Sequence, residues 1–465
     1  MDTLWQKPRD VKYLVNLLPR SCFMWVGMNG EYVELLLKSR PSEADWARFS
    51  TYARRVRTLD VHCYAKGGDL PIHWCSILRS FPGNQPLPRL RSMHWEWSPD
   101  YGCLHSALLV RPPLQRLHFG AMDVRGLKQI IEVLPSCAST LEHLRIGKRF
   151  RSASEPELAE RLWQTLTKLQ RLVGLDVSLY VPQAFCHLAS LSNITSLHLL
   201  LDSADTEDTI APFPALKSLE LSVNTHMDAP AKLLRRMVLP TLEHLNIIDD
   251  FLPRAAIPMP RANAAHVRLT LQEVAKVTSL RSFMFKCHGH TSTAPTEALD
   301  ASALSPLHDL RELETLDVGA LAVSMVAADV EPMARAWPRM QNLQLYQRHA
   351  IFGTDLPCVL EVADILPFAD LCPHLRELGL LVHIGPPAAP LDDDSELPAH
   401  AALKTLRAAI SLPPFTPALR ILARTFPAAE LKGYGYAPDR DEAVNEAKKA
   451  LVHELYGTQF ENTDG

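Results

Sequence analysis

The chain has 465 residues, of which 47% are hydrophobic and 22% are charged, a composition typical of a soluble folded protein. Its net charge of -4 gives no overall positive field for a nucleic-acid backbone or an anionic membrane, so we expect neither as a partner. The first dozen residues do not resemble a signal peptide, and no apolar run approaches the about 18 residues of a membrane span. We therefore expect a cytoplasmic or nuclear protein.

The first strong helix signal in the chain begins at Ser42. Ser42 and Asp45 have the spacing of a capping box, and Trp46, Phe49 and Ala53 then recur on one helical face. The pattern predicts an amphipathic helix that packs against the core and leads directly into a strand.

From residue 56 onward a short phrase recurs, made of an aliphatic residue, two variable residues, an aliphatic, one variable residue and an aliphatic or aromatic residue. Its copies start 22 to 38 residues apart, which is close to or longer than the usual leucine-rich-repeat spacing. The alternation of apolar and variable positions predicts a short strand in each copy. The copies begin at Val56, Leu90, Leu114, Leu141, Leu172, Ile194, Leu216, Leu242, Leu280, Leu313, Met340, Leu375 and, in a weaker form, Leu403.

Proline marks the start of six of these phrases. It stands one or two residues before the first aliphatic, where a helix has ended and a strand begins, because proline cannot donate to either ladder. The six are Pro88, Pro113, Pro214, Pro240, Pro338 and Pro373. The segment ending at Asn224 has the full repeat form with its asparagine, but most other copies lack that residue, which favours an irregular array.

Segments of helical period lie between the phrases. The segment 155–169 places Leu158, Leu162, Leu166 and Leu169 on one face. Similar segments lie near Ile130, Leu234, Met333 and Ile365. Strand followed by helix, repeated about a dozen times, predicts an α/β fold: an irregular leucine-rich-repeat solenoid, with a curved parallel sheet on the concave side and helices on the convex side. A doubly wound open sheet is the alternative, but it would need longer strands and glycine-rich turns.

Two segments resemble a known family. Residues 45–61, DWARFSTYARRVRTLDV, are similar to the segment that follows the F-box in fungal F-box proteins with leucine-rich repeats. The segment LRILARTFPAAELKGYGY, which starts at Leu419, resembles the last helix and strand of that group. The resemblance runs from about Leu4 to about Tyr436. It implies the substrate receptor of an SCF-type ubiquitin ligase.

The F-box itself is not found in this chain, which begins at the point where that domain normally ends. A Skp-type adaptor is therefore expected as a partner only if an F-box exists upstream. The predicted organisation is an N-terminal helical cap over 1–55, a remnant of the region after the F-box, then the solenoid over 56–436, and a C-terminal helix and frayed tail over 437–465. The last segment has the acidic start and later lysines of a charged amphipathic helix.

The sequence contains no motif for catalysis, so we expect no enzyme, no cofactor and no metal. Cys287, His288 and His290 lack a second ligand pair at zinc-finger spacing. Two acidic clusters lack the alternating oxygen ligands and central glycine of a calcium loop. They are formed by Asp202, Asp205, Glu207 and Asp208, and by Asp392, Asp393, Asp394 and Glu396. The second cluster is predicted to lie in an excursion loop between repeats. The nine cysteines are scattered and form no Cys-x-x-Cys pair, as is typical of reduced thiols.

The variable positions on either side of the central aliphatic point away from the core and line the concave sheet face. They predict a partner-binding strip of His94, Arg116, His118, His143, Arg145, Asp176, His198, Glu220, His244 and Asn246. Asp317, Asn342 and Gln344 continue it. Such positions are also polar simply because they face water. The hypothesis is protein recognition, with a protein substrate on the concave face. A leucine-rich-repeat scaffold with no ubiquitin-ligase role is the alternative.

Overall fold

The chain folds into two compact units, residues 1–202 with 207–216 and residues 203–206 with 217–465. The computed structural model describes residues 6, 12–28, 32–62, 80–83, 85–96, 109–111, 113–120, 124–147, 156–177, 182–201, 210–223, 227–249, 263–287, 298–319, 321, 323–345, 360–384, 400, 402–410, 416–433 and 438–456. The predicted boundaries after residues 55 and 436 stay predictions.

The first unit begins with a short helix, a hairpin and a longer helix. Helix α1 spans Lys12–Val15, strands β1 and β2 span Phe23–Met28 and Tyr32–Leu37, and helix α2 spans Glu43–Ala53. The two strands pair in antiparallel register. The segment 1–55, predicted as a helical cap, thus also contains a β-hairpin, because two apolar runs flank an Asn-Gly pair that favours a tight turn between strands.

Helix α2 has the predicted cap. The backbone N–H of Asp45 donates to Ser42 Oγ over 3.2 Å, and the backbone N–H of Ser42 donates to Asp45 Oδ2 over 2.9 Å. Trp46, Phe49 and Ala53 are buried. The capping box and the buried face of this helix are both confirmed.

Parallel strands follow in the first unit, each pairing with the next one along the chain. They are β3 Thr58–His62, β4 Ser92–Glu96, β5 Arg116–Phe119, β6 His143–Ile146, β7 Gly174–Val177 and β8 Ser196–Leu201. The helices between them are α3 Val124–Val133, α4 Pro156–Leu166 and α5 Pro182–Ser190, and a two-residue strand, β9 Ala211–Pro212, follows.

The second unit repeats the same arrangement. Its main strands run in parallel, in chain order. They are β10 Ser218–Val223, β12 His244–Asp249, β13 Ser282–Cys287, β15 Thr315–Val318, β17 Asn342–Gln344, β19 Glu377–Ile384, β20 Thr405–Ile410 and β21 Glu430–Gly433. The two-residue strands are β11 Met237–Val238, β14 Leu299–Asp300, β16 Val323–Ser324 and β18 Leu360–Glu361. The helices are α6 Ala229–Arg236, α7 Ala264–Val274, α8 Ala327–Ala336, α9 Leu366–Leu371, α10 Thr416–Thr425 and α11 Pro438–Tyr456.

Every one of the thirteen phrases contains a strand that starts at its third residue, from Thr58 in the first copy to Thr405 in the last. The fourth positions of the phrases are buried, and so are the sixth positions from the second phrase to the twelfth, as Leu117 and Phe119 are in β5. Strand followed by a helical return is thus the repeating unit, and the predicted leucine-rich-repeat solenoid is confirmed as the fold class.

Within each unit, main-chain hydrogen bonds join neighbouring repeats at the start of the strand. The carbonyl oxygen of Arg57, the second residue of its phrase, accepts from the N–H groups of Arg91 and Ser92 over 2.7 and 3.0 Å. The same doubled bond recurs onto the second residue of later phrases, at Arg91, Gln115, Glu142, Val173, Lys217, Glu243, Arg281, Glu314, Gln341 and Arg376. One backbone geometry therefore fixes the register of strands whose surface residues differ.

The predicted helices near Ile130, Leu234 and Met333 and over 155–169 are present as α3, α6, α8 and α4. The segment near Ile365 differs, because it begins as a 3-10 helix over Val362–Ile365 and becomes α-helical only in α9. Pro367 is the physical reason, since it has no N–H to continue an α-helical ladder. Within the described part of the chain, no helix is both long enough and apolar enough to cross a membrane.

Helix α11 packs on α10 and β21. The ammonium group of Lys448 donates to the carbonyl oxygens of Pro427 and Ala429 over 3.0 and 2.6 Å. Val444 is fully buried. The helix thus covers the last strand of the second unit.

Candidate functional site

Two rows of side chains line the face of the parallel strands that is not packed against the helices. We call them the third-position row and the fifth-position row, after their place in the phrase. In the first unit the third-position row is Thr58, Ser92, Arg116, His143, Gly174 and Ser196, and the fifth-position row is Asp60, His94, His118, Arg145, Asp176 and His198. These residues alternate with buried apolar ones, so the face is polar.

The predicted strip is divided between the two units. Seven of its ten residues lie in the rows of the first unit: His94, Arg116, His118, His143, Arg145, Asp176 and His198. Glu220, His244 and Asn246 lie on β10 and β12 of the second unit. The strip's binding role stays a prediction.

His94 and His118 stack on each other in the fifth-position row. Their ring centroids are 4.1 Å apart and the rings are parallel within 4°. Neighbouring strands lie about 4.8 Å apart, so identical planar side chains in one row meet face to face. Two imidazolium ions at this distance would repel each other, so a proton on one ring disfavours a proton on the other.

Asp176 links two other members of the same row. Its Oδ2 lies 2.8 Å from Arg145 Nε, and its Oδ1 lies 2.7 Å from His198 Nδ1. The side chains of Asp176 and His198 are only 20% and 12% exposed, whereas that of Arg145 is 54% exposed. A carboxylate only accepts, so His198 Nδ1 carries a hydrogen. The three side chains hold each other in place across β6, β7 and β8.

His143 occupies the space that Gly174 leaves open in the third-position row. A Cβ atom at Gly174 would lie 2.6 Å from His143 Nδ1. Burial, and after it the positive charge of Arg116, lowers the pKa of His143, while Glu142 opposes this. The glycine therefore matters to the site, although it is not among the residues of the predicted strip. In the sequence, Gly174 is marked only by the lack of a polar side chain at the third position of its phrase.

In the second unit, an ion pair that was not predicted from the sequence joins a fifth-position residue to a residue just outside the rows. Lys286 Nζ lies 3.1 Å from Asp317 Oδ2 and 3.4 Å from Met284 Sδ. Lys286 is the seventh residue of its phrase, one position beyond the predicted pattern. Nearby in the fifth-position row, the buried Oδ1 of Asn246 has no hydrogen-bond partner among the described residues. His244 is exposed.

The remaining candidates give no site in the described residues. His288, His290 and both acidic clusters lie outside them, as does Asn224. Among the described side chains, no three of His, Cys, Asp or Glu are grouped so that they could hold a metal ion.

Comparisons with known proteins find similar structures but no matching sequence family. The chain matches no protein-family model and no curated protein. An internalin from Listeria monocytogenes is 14% identical, with 81% of this chain and 87% of that chain covered and a TM-score of 0.41. The mouse RP105/MD-1 complex is 14% identical, with 83% and 69% covered and a TM-score of 0.32. These identities are too low to transfer residue roles. The comparisons also give no support to the resemblance to fungal F-box proteins.

Proposed function

We propose that this protein recognises another protein through the polar face of its parallel strands, and that it is a binding protein without catalysis or cofactor. One observation carries the proposal: polar third and fifth positions in register on one face, above buried fourth and sixth positions. A solenoid offers such a face as a rigid array of side chains. The Arg145, Asp176 and His198 network supports this role, because side chains already held in place lose little freedom on binding.

Steric blocking of the face tests the proposal. Ser196 in β8 and His244 in β12 are exposed third-position residues, whereas Gln164 is exposed on helix α4. We expect Ser196→Trp or His244→Trp to weaken binding of partners identified by cross-linking at least about ten-fold. Gln164→Trp is the matched control and should leave binding unchanged. Full binding by both face variants, shown folded by circular dichroism, would overturn the proposal.

Histidines contribute four side chains to the rows of the first unit, so binding is expected to depend on pH. Imidazoles change charge near pH 6.5, between about pH 5.5 and about pH 7.5. The affinity for the partner should therefore change across this range. Constant affinity would show that binding does not depend on the charge of these histidines.

In its finer form, we propose that the protein is the substrate receptor of an SCF-type ubiquitin ligase in the cytoplasm or nucleus. The sequence resemblance in residues 45–61 and from Leu419 onward supports this form. It requires an F-box upstream of Met1, which would bind a Skp-type adaptor. The test is pull-down of that adaptor with this chain and with the gene extended upstream. Failure of both leaves a leucine-rich-repeat scaffold with no ligase role. A fluorescent fusion tests the location.

A further inference from the structure

Part of the face of the first unit, from β4 to β8, carries more cationic than anionic side chains. Across β4 to β8, the two rows comprise ten positions, and Asp176 is their only carboxylate. Arg116 and Arg145 are both exposed on this face. Over these five strands the two arginines outnumber the single aspartate, with the imidazoles of His118 and His143 on the same two strands as the arginines, whereas Asp60 lies at the end of the row on β3.

Asp176, the single carboxylate, does not neutralise the charge of Arg116. Asp176 is already bonded on one oxygen to Arg145 and on the other to His198. Arg116, on β5, lies on the far side of β6 from Asp176 and has no carboxylate directly across from it in its own row, where His143 and Ser92 are its neighbours. Among the described residues of the two rows, no carboxylate therefore neutralises the guanidinium group of Arg116, and we expect it to accept an anion from outside.

Gly174 shapes the same area. Because the position has no side chain, the His143 ring lies in the third-position row over β7. Arg116 and His143 stand directly opposite each other in the register of β5 and β6, and the positive charge of Arg116 contributes to lowering the pKa of His143. An anion that binds beside Arg116 therefore also meets an imidazole that can accept a proton, and Arg145 on the same strand as His143.

We propose that Arg116, His118, His143 and Arg145 form a basic patch that binds an acidic segment of the partner protein, one carrying Asp or Glu side chains. The inference rests on the proposed function and specifies its partner by charge complementarity, which favours association of opposite patches. A carboxylate-bearing peptide fits better than a nucleic acid. The two arginines of the patch, Arg116 and Arg145, stand on the neighbouring strands β5 and β6, which is room for a few carboxylates but too short a run of cations to follow an extended phosphate backbone.

Labelled peptides of alternating Glu and Ser, their Gln/Ser and Lys/Ser counterparts, and an oligothymidylate are suitable probes for fluorescence anisotropy. We expect the Glu/Ser peptide to bind at least about ten-fold more tightly than the Gln/Ser peptide, with a loss of affinity at high salt. The Lys/Ser peptide should not bind. Equal binding of the Gln/Ser peptide, or tighter binding of the oligothymidylate, would overturn the proposal.

Charge reversal locates the binding. Arg116→Glu is the primary variant because it leaves the contacts of Asp176 intact, and it should weaken Glu/Ser binding at least about ten-fold. Arg161→Glu, an equal change of charge on exposed helix α4, is the matched control and should stay within about two-fold of the wild type. If Arg116→Glu and Arg161→Glu bind equally well, the basic patch is not the binding site.

The same variants separate this inference from the proposed function. If Ser196→Trp abolishes binding of the native partner but Arg116→Glu does not, the face binds protein and the proposal of an acidic segment is wrong. If Ser196→Trp and His244→Trp both still bind the native partner, the proposed function is wrong too, and the acidic-segment proposal with it. If binding of the partner is lost on both Ser196→Trp and Arg116→Glu, both proposals are supported.

Discussion

The side-chain amide of Asn445 takes the place of a neighbouring strand for Leu431. The Leu431 N–H donates to Asn445 Oδ1 and the Asn445 Nδ2 donates to the Leu431 carbonyl oxygen, each over 2.7 Å. Leu431 lies in β21, and Asn445 lies in helix α11. A strand at the end of a sheet presents N–H and C=O groups that attract other chains, and at this residue both groups are occupied.

Substitution of Asn445 by Leu should therefore loosen the last repeat. Two backbone groups lose their partners, which costs about 2 kcal/mol of local stability. Amide hydrogen exchange at Leu431 is the measurement, because repeat proteins open locally and a single unfolding free energy describes them poorly. Asn445→Asp retains only the acceptor and should have a smaller effect. Glu446→Ala, on the exposed side of the helix, is the control. Unchanged exchange in Asn445→Leu would contradict this role.

Lys448 makes the docking of helix α11 dependent on pH. Burial lowers its pKa from 10.5 to about 8. The unfolded state therefore binds a proton between about pH 8 and pH 10.5 that the folded state has lost, so stability rises with pH in this window, by about 3 kcal/mol at most. Lys448→Met has no titrating group at this position and should therefore remove this rise.

Buried thiols oppose this trend and must be separated from it. Burial raises the pKa of Cys372 from 9.0 to about 12, so its contribution to stability is lost as the pH rises from 9 toward 12. The difference between wild type and Lys448→Met, measured by urea unfolding at each pH, cancels the thiol contribution. A difference that does not change between pH 8 and pH 10.5 would show that Lys448 has an ordinary pKa.

The ring of His400 takes the place of a backbone carbonyl as hydrogen-bond acceptor for Leu403, the first residue of the last phrase. In most other copies the first aliphatic donates its N–H to the carbonyl oxygen three residues earlier, as Leu375 does to Cys372. Leu403 instead donates to His400 Nδ1 over 3.1 Å, and His400 Nε2 lies 2.8 Å from the Cys372 carbonyl oxygen. Since Nδ1 accepts, Nε2 carries the hydrogen and the ring is neutral.

Removal of the His400 ring should destabilise the end of the second unit. His400→Ala leaves a cavity and two unpaired backbone groups, and we expect a loss of about 3 kcal/mol in urea unfolding. His400→Gln can keep one of the two hydrogen bonds and should be less harmful. His374→Ala, at an exposed position, is the control. Equal stability of His400→Ala and His374→Ala would show that the ring has no structural role.

Two glycines allow a paired test of close contacts. A Cβ at Gly147 would lie 2.6 Å from the backbone oxygen of Gly120, whereas a Cβ at Gly174 would meet only the ring of His143. A backbone oxygen moves less easily than a side chain, so Gly147→Ala should cost about 2 kcal/mol and Gly174→Ala less than about 1 kcal/mol. Gly174→Ala should instead shift the NMR signals of the His143 ring. The reverse order of stabilities would contradict the described geometry.

The effect of the Arg116 charge on the pKa of His143 can be tested by titration. The positive charge of Arg116 contributes to the lowered pKa of His143. Arg116→Gln removes that charge, so the pKa of His143 should rise, as followed by NMR of the imidazole ring. Arg161→Gln, on helix α4, should leave it unchanged. A pKa of His143 that does not respond to Arg116→Gln would show that the charge of Arg116 has no effect on the His143 ring.

The strands could be predicted from sequence because one repeated pattern specifies them. β21 has no phrase of its own, since Ala428 stands where the pattern would require an aliphatic, and only the resemblance indicated this last strand. The β1–β2 hairpin was also missed, because the segment was interpreted through its helix signals alone. Its Asn29-Gly30 pair between two apolar runs was an available hairpin signal.

The members of the rows could be predicted, but their contacts could not. The phrase gives which residues point away from the core. It does not give the register between strands, and so it could not pair His94 with His118 or Asp176 with both Arg145 and His198. Lys286 was missed because the seventh position lies outside the phrase. Asn445 could not be found at all, since its partner lies in a strand with which it shares no local pattern.

The doubled hydrogen bond that joins neighbouring repeats within each unit uses main-chain atoms only. Arginine, glutamine, glutamate, valine and lysine all occupy the accepting position, and the bond forms in each case. Substitutions at the second and third positions can therefore alter the surface while leaving the joint between repeats intact. In evolutionary terms, such an array can acquire a new partner by changing its exposed residues, without having to evolve a new way of stacking.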